Sequence, residues 1–238
     1  ALLRHDMGMI YLEVFPRGKT GEYTIPDNVD VIRDKVFRYS QITKLVVGNN
    51  VSMIMQNAFY YCTALETLEF KGEGTTPLVI DPEAFYLTTN ITTLRLPARL
   101  AEMDLTFFNQ FTKLTTIEAE AGGMHYGAVD NMITNGACTA ILYAPVFVSG
   151  EFEVPQGIRE IGPMAFADRP NLTKVIIPNY VNVIGDSAFL NCTGISEVIV
   201  EGSRNNDLLI DTRAFFGCGS IAAVTLQGNG TTTPDTGV

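Results

Sequence analysis

IPNYVNVIGDSAFLNCTGISEVIV, residues 177–200, shows the pattern from which the rest of the chain is built. The pattern is anchored on Phe189. Apolar residues follow the Phe at fixed distances: Ile195 is six residues later, Val198 nine and Val200 eleven. Alternating apolar residues that are mostly β-branched are typical of a short, half-buried strand. The stretch therefore predicts a short strand that follows an aromatic anchor.

The anchor recurs seven times in the chain. The copies are Val36-Phe37, Ala58-Phe59, Ala84-Phe85, Phe107-Phe108, Ala165-Phe166, Ala188-Phe189 and Ala214-Phe215. Successive Phe anchors are 22, 26 and 23 residues apart, then 58, then 23 and 26. A unit of this length with one short strand cannot bury its own apolar face, so the copies must stack. With 46% hydrophobic residues, the chain has enough apolar material for that core.

The stacked repeats predict an α/β solenoid. We expect one long parallel β-sheet on one side, short helical turns on the other side, and a β-hairpin spacer between two repeat blocks. The helical turns are placed just before each Phe, because Asp34, Asp186 and Asp211 stand where they could cap a helix. Pro82 suits the first position of such a turn.

Repeat spacing also divides the chain. Residues 21–26 (GEYTIP) recur 129 positions later as residues 150–155 (GEFEVP), which marks the start of two similar blocks. The predicted segments are a spacer remnant or N-terminal cap at 1–20, a block of four repeats at 21–121, a spacer insertion at 122–155, a block of three repeats at 156–227, and a flexible tail at 228–238. The Gly, Thr and Pro content of the tail indicates a linker.

Three stretches carry a resemblance to a known family. Residues 25–37 (IPDNVDVIRDKVF), 154–166 (VPQGIREIGPMAF) and 177–200 resemble the BspA-like leucine-rich repeats of bacterial and protozoan cell-surface proteins. The resemblance extends over residues 8–227, and residues 143–155 (YAPVFVSGEFEVP) look like the spacer of that family. It implies a right-handed, leucine-rich-repeat-type coil in a secreted or cell-surface protein with a role in adhesion. Val36 and the Thr106-Phe107 pair depart from the usual small residue before the Phe.

Composition and motifs argue against several functions. The net charge is -10 and there is no Lys/Arg run, so a nucleic-acid partner is not expected. No apolar stretch is long enough for a membrane helix, so this segment is not expected to insert into a membrane. His5 and His125 are the only histidines and neither has a potential ligand at metal-site spacing. Without a phosphate loop or a nucleophile motif either, we expect no enzyme activity, no metal and no cofactor.

Three of the four cysteines share one position in the repeat. Cys62, Cys192 and Cys218 each lie three residues after their Phe. This predicts a small or apolar slot in which a free thiol is buried as a small hydrophobe. The alternative is a disulfide between Cys192 and Cys218, which lie on adjacent repeats. Cys138 belongs to the spacer and has no evident partner.

Outward-facing strand positions vary where the scaffold does not specify them. They form two ladders, Val46, Glu69, Arg95, Glu118, Ile176, Ile199 and Thr225 on one, and Lys44, Thr67, Thr93, Thr116, Lys174, Glu197 and Ala223 on the other. The candidate ligand-binding residues are Glu69, Arg95, Glu118, Lys174, Ile176, Glu197 and Ile199. The adjacent apolar pair in the second block indicates a contact site. Its alternative explanations are β-propensity and cover by the spacer.

We therefore expect a non-catalytic, extracellular or cell-surface module that binds a host or extracellular protein or glycan through the open sheet face, as a monomer. Residues 233–237 (TPDTG) resemble a Gram-positive wall-anchoring signal without its leading Leu, so wall anchoring is a further expectation. The alternative function is a passive spacer or accessory region of a larger surface protein. A hydrolase would require acidic residues that converge in a cleft between spacer and solenoid.

Overall fold

The computed structural model describes residues 1–72, 74–202 and 207–227. The chain forms two compact units, Ala1–Cys138 and Thr139–Val238. Each unit is a parallel β-solenoid of the right-handed type, built from strands and tight turns. No helix in the described part of the chain is both long and apolar enough to cross a membrane. The predicted tail at 228–238, with its TPDTG stretch, lies outside the described residues.

The first unit contains twelve strands. They are β1 (Leu2–Asp6), β2 (Met9–Val14), β3 (Thr20–Thr24), β4 (Val31–Ile32), β5 (Gln41–Val47), β6 (Met53–Ile54), β7 (Thr67–Phe70), β8 (Val79–Ile80), β9 (Thr93–Leu96), β10 (Thr116–Ala119), β11 (Tyr126–Val129) and β12 (Met132–Asn135). The longer strands form a five-stranded parallel sheet in the order β10-β9-β7-β5-β3. A second sheet has the order β1-β2-β4-β6-β8, in which only β1 and β2 are antiparallel.

The second unit repeats this plan with eight strands. They are β13 (Ala140–Tyr143), β14 (Gly150–Glu153), β15 (Glu160–Ile161), β16 (Leu172–Ile177), β17 (Val183–Ile184), β18 (Glu197–Val200), β19 (Leu209–Ile210) and β20 (Ala223–Leu226). Strands β14, β16, β18 and β20 form one parallel sheet, and β13, β15, β17 and β19 pair in that order in another. The paired stretches GEYTIP and GEFEVP supply the first long strand of each unit.

The expectation of one long sheet is therefore wrong. Each unit has its own sheet of long strands and, in addition, a second sheet. The second sheet arises because the apolar pair before each Phe, such as Val31 and Ile32, is extended and pairs with the equivalent residues one turn later. The predicted spacer hairpin is confirmed in β11 and β12, whose turn residues Asp130 and Asn131 have φ values of 49° and 61°. Two successive positive φ values suit a two-residue hairpin, and Asn and Asp tolerate them.

The predicted helical turns before each Phe are also wrong. On the first repeat, Lys35 and Tyr39 flank the anchor Phe37 with φ values of 59° and 61°. A left-handed residue interrupts an α-helix, so the chain makes successive tight turns instead. The backbone N–H of Phe37 then donates to the carbonyl of Ala58 on the next turn at 2.8 Å, and Phe59 donates to Ala84 at the same distance. The Ala-Phe motif is thus a third hydrogen-bonded ladder along the coil.

The acidic residues have other roles than helix capping. Asp34 forms an ion pair with Lys35 at 3.0 Å, and Asp186 forms one with Arg213 at 3.2 Å. The Asp211 carboxylate accepts a hydrogen bond from the backbone N–H of Thr212 at 2.7 Å. Pro82 lies in a turn. The one helix in the described residues is a 3-10 helix, Leu105–Gln110, which is capped by Asp104.

The anchor residues stack through the core. The ring centroids of Phe37 and Phe59 are 4.7 Å apart, and those of Phe59 and Phe85 are 4.6 Å apart. In the second unit, Phe189 lies 5.0 Å from Phe166 and 5.0 Å from Phe215. Each repeat contributes one ring to this stack, which buries a large apolar area and stabilises the fold by about 0.5–1.5 kcal/mol per pair beyond burial.

Candidate ligand-binding face

The seven candidate residues fall into two groups, one on the long-strand sheet of each unit. In the first unit, the β-ladder pairs Val46 with Glu69, Glu69 with Arg95, and Arg95 with Glu118. Parallel pairing without a shift keeps these side chains on one face of the sheet. Three of the candidates, Glu69, Arg95 and Glu118, are therefore neighbours on consecutive strands, as predicted.

Ion pairs connect this ladder. Arg95 contacts Glu69 at 2.9 Å through one terminal nitrogen and Glu118 at 2.7 Å through its Nε. Lys44, on the neighbouring ladder, contacts the other oxygen of Glu69 at 2.9 Å. The Glu69 side chain is 17% exposed, whereas Arg95 and Glu118 are 52% and 53% exposed. Glu69 thus holds the network together, and the outer two side chains keep much of their surface open to a partner.

The ladder borders a depression of about 390 Å³ on the sheet face. Besides the three candidates, its lining includes Val46, Phe70, Lys71, Leu96, Ala119 and Glu120. Lys71 binds Asp27 at 3.0 Å, and this contact together with the backbone N–H of Asn49 lowers the pKa of the Asp27 carboxyl. The depression combines apolar and charged walls, which is typical of a site that binds a ligand with both kinds of surface.

In the second unit, the remaining four candidates also share one face. Lys174 pairs with Glu197 and Ile176 with Ile199 on adjacent strands. The Lys174 ammonium lies 3.8 Å from Glu197 and 3.3 Å from Glu151. Both isoleucines are only half-buried. The result is an apolar pair bordered by an acid–base–acid row.

Two charged residues of these networks were not among the candidates. Lys44 and Glu151 each pair with a candidate across the ladder. The signal that would have found them is the alternation of charge from one repeat to the next at the same ladder position. Glu151 was not considered because it precedes the first anchor of its block, although its strand is the first of the sheet.

The buried cysteine slot is a hydrogen-bonding position. The Cys62 thiol donates to the Phe37 carbonyl at 3.0 Å, and the Cys192 thiol donates to the Phe166 carbonyl at 2.9 Å. All four cysteines are free, so the disulfide between Cys192 and Cys218 is not formed. Thr88 fills the same slot and donates its hydroxyl to the Phe59 carbonyl at 2.5 Å. The predicted burial of a free thiol is confirmed, but the slot selects a donor and not simply a small apolar side chain.

Arg169 is the exception in this slot. Its exposure is 2%, and its guanidinium donates to the carbonyl of Ala144 and lies 5.4 Å from the centre of the Tyr143 ring. Burial lowers the pKa of Arg169 and raises the pKa of Tyr143 to about 12. Across residues 1–72, 74–202 and 207–227, no three His, Cys, Asp or Glu side chains group as metal ligands would. The polar groups in the core thus bind the backbone of neighbouring turns.

Comparison with known proteins agrees with this architecture. The family model described as BspA type leucine rich repeat region matches in six copies, over residues 9–125 and 149–236. No curated protein matches the chain. Among solved structures, the chain is similar to the pneumococcal vaccine antigen PcpA, with 19% identity and a TM-score of 0.56 over 87% of this chain and 62% of that chain.

A second similar structure is a leucine-rich repeat protein from Bacteroides ovatus ATCC 8483, with 19% identity and a TM-score of 0.52. The match covers 85% of this chain and 47% of that chain. Our chain thus spans less than two thirds of the length of either protein, and at this identity the likeness shows the fold alone. The family match extends over most of the sequence. The chain therefore belongs to the BspA-type leucine-rich repeat family, as the repeat motif predicted.

Proposed function

We propose that this chain is a non-catalytic, extracellular or cell-surface module that binds a protein or glycan ligand through the long-strand sheet face of its units. The observation that carries the proposal is the ladder of Glu69, Arg95 and Glu118 beside the 390 Å³ depression of the first unit. The description of PcpA as a vaccine antigen supports a surface location. Attachment to a cell wall is part of the same proposal.

The physical argument is preorganisation. Each ladder residue lies on a strand that is hydrogen-bonded to the strands on either side, so its backbone position is set before a ligand arrives. The ion pairs also restrict the side chains of Glu69 and Arg95. A ligand that binds such a surface loses less free energy to ordering than one that binds mobile loops.

A charge-inverted variant tests the first unit. Lys44→Glu, Glu69→Arg, Arg95→Glu and Glu118→Arg together keep every ion pair of the network but reverse its charge pattern. We expect the melting temperature to change little, because exposed ion pairs contribute about 0–1 kcal/mol each. Binding to immobilised extracellular-matrix proteins and to a glycan array should weaken at least about tenfold, because like charges then oppose each other.

The second unit has its own test. Ile176→Thr with Ile199→Thr keeps two β-branched residues on the strands but removes the apolar pair, and Ile176→Val with Ile199→Val is the matched control. Loss of binding in the Thr variant alone would assign the contact to this pair. If every ligand of the unmodified chain binds the charge-inverted and Thr variants equally well, the sheet-face proposal is wrong and a passive spacer describes the chain better.

A further inference from the structure

A second surface of the first unit carries exposed aromatic side chains. We call it the tyrosine surface; it consists of Arg38, Tyr39, Tyr60, Tyr61 and Tyr86. These residues directly follow the anchors Phe37, Phe59 and Phe85, on the turns and not on the sheet face. Tyr39, Tyr61 and Tyr86 are 38%, 47% and 52% exposed. Several half-exposed tyrosines side by side are more than isolated apolar exposure, which is common on any surface.

The rings contact one another from turn to turn. Tyr39 lies 5.7 Å from Tyr60 and 5.6 Å from Tyr61, in both cases edge to face. Tyr60 lies 6.0 Å from Tyr86 on the next turn, with the rings tilted by 43°. Arg38 lies over the rings of Tyr39 and Tyr60 at 4.7 and 5.2 Å, and donates a hydrogen bond to the Tyr39 hydroxyl at 3.0 Å. Tilted rings held in this way leave clefts between them along the axis of the coil.

The backbone shows that the turns themselves do not require tyrosine. Tyr39 and Tyr61 occupy the position two residues after the Phe with φ values of 61° and 54°, which are unfavourable for a bulky side chain. The same position in the second unit holds Asp168, Asn191 and Gly217, residue types that tolerate this conformation. Because a bulky residue persists at an unfavourable backbone position, a function outside the fold is the better explanation.

The tyrosine surface also continues into a depression of about 270 Å³ beside Tyr86. The other residues that line it are Pro82, Asp104, Thr106, Phe107 and Gln110. A ligand that extends along the coil could therefore contact the rings of three consecutive turns and end in this depression.

We propose that the tyrosine surface binds a proline-rich peptide in the polyproline II conformation. Successive turns of the coil are about 4.8 Å apart, so the turns of Phe37 and Phe85 are separated by about 9.6 Å. One turn of polyproline II spans three residues and about 9.3 Å. Prolines spaced three residues apart would then meet equivalent clefts beside Tyr39 and Tyr86. Aromatic-lined grooves recognise such peptides because the extended conformation is already formed.

The polar groups of the surface suit the same ligand. The backbone carbonyls of polyproline II have no internal hydrogen-bond partners, and proline supplies no N–H. The ligand therefore presents acceptors, and the phenol hydroxyls and the Arg38 guanidinium present donors. This inference concerns a different face from the ladder of Glu69, Arg95 and Glu118, and does not depend on the sheet-face proposal.

Fluorescence anisotropy with a fluorescein-labelled decaproline peptide tests the proposal. The unmodified chain should bind it saturably, and a labelled Gly-Ser decamer should not bind. Tyr39→Asn with Tyr61→Asn should weaken decaproline binding at least about tenfold, since tyrosines contribute strongly to binding surfaces. Asn suits the left-handed position, so this variant should melt no lower than the unmodified chain. Tyr86→Ser, at a position without a positive φ, is a second variant with the same expected loss.

Glu118→Gln is the matched control, because it changes the sheet face and should leave decaproline binding unchanged. Absence of saturable decaproline binding, or unchanged affinity in both tyrosine variants, would overturn the proposal. Binding of chitohexaose in place of decaproline, lost in the same variants, would overturn it in favour of a glycan ligand.

Discussion

The slot three residues after each Phe shows how one position acts in the fold. Cys62 is fully buried, and its thiol binds the Phe37 carbonyl of the preceding turn. Thr88 makes the same kind of contact with a hydroxyl, and Arg169 with a guanidinium. Residues of very different size fill one slot, so the shared property is a donor aimed at the backbone. These bonds connect neighbouring turns without any contribution from the sheets.

Substitution of Cys62 tests that role. Cys62→Ala removes both the donor and the sulfur, so the free energy of unfolding should fall by about 1–2 kcal/mol. Cys62→Ser keeps a donor of similar size and should lose less than half as much. Chemical denaturation of the two variants measures the difference. Equal losses would mean that the slot requires only volume.

At the scale of elements, the turns around each Phe depend on left-handed residues. Positive φ occurs two residues before the anchor at Lys35, Asn57, Met164, Ser187 and Arg213. Only Asn57 is a residue type that favours this conformation. The N–H of Met164 donates to the Asp186 carbonyl of the next turn at 3.1 Å, so the conformation is maintained by bonds between turns. The tertiary structure here overrides the preference of the residue.

Met164 gives the clearest test of this balance, because its φ is 55° and its side chain is 48% exposed. Met164→Asn should raise the free energy of unfolding by about 0.5–1 kcal/mol, since Asn tolerates the left-handed region and little packing is lost. Glu83→Asn is the matched control, at the same offset from Phe85 but without a positive φ. Thermal denaturation should show a gain for Met164→Asn alone.

At the scale of the whole molecule, buried titratable groups predict a loss of stability at alkaline pH. Burial raises the pKa of the Cys62 thiol from 9.0 to about 12 and that of Cys192 from 9.0 to about 11. Burial also raises the pKa of Tyr143 from 10.0 to about 12. Above their ordinary pKa values these groups keep their protons in the folded state and release them in the unfolded state.

Since the unfolded chain then binds fewer protons, the free energy of unfolding should be unaffected by these groups below about pH 9 and should fall as the pH rises from about 9 to 12. Denaturation curves at pH 8 and pH 10.5 measure the decrease. Cys62→Ser should lose less stability over this interval than the unmodified chain. A decrease of the same size in both would show that the thiol does not contribute.

The repeat itself was readable from the sequence. Periodic apolar positions specify which side of a strand is buried, and the constant offset from each Phe sets the pairing of Glu69 with Arg95 and of Ile176 with Ile199. The solenoid, its strand ladders, its hairpin and its family followed from that pattern. These features depend on the hydrophobic effect acting on local spacing, which a single sequence displays.

Other features depended on contacts between turns. The left-handed residues beside each Phe, the second sheet of two-residue strands and the donor slot of Cys62 form because backbone groups must find partners on the next turn, 20 or more residues away in sequence. The ion pairs of Glu69 and the grouping of Tyr39, Tyr61 and Tyr86 likewise require the stacked coil. The sequence alone determined the repeat and its buried side, and the tertiary structure decided the shape of the turns and which surface residues meet, because hydrogen-bond partners there belong to neighbouring turns.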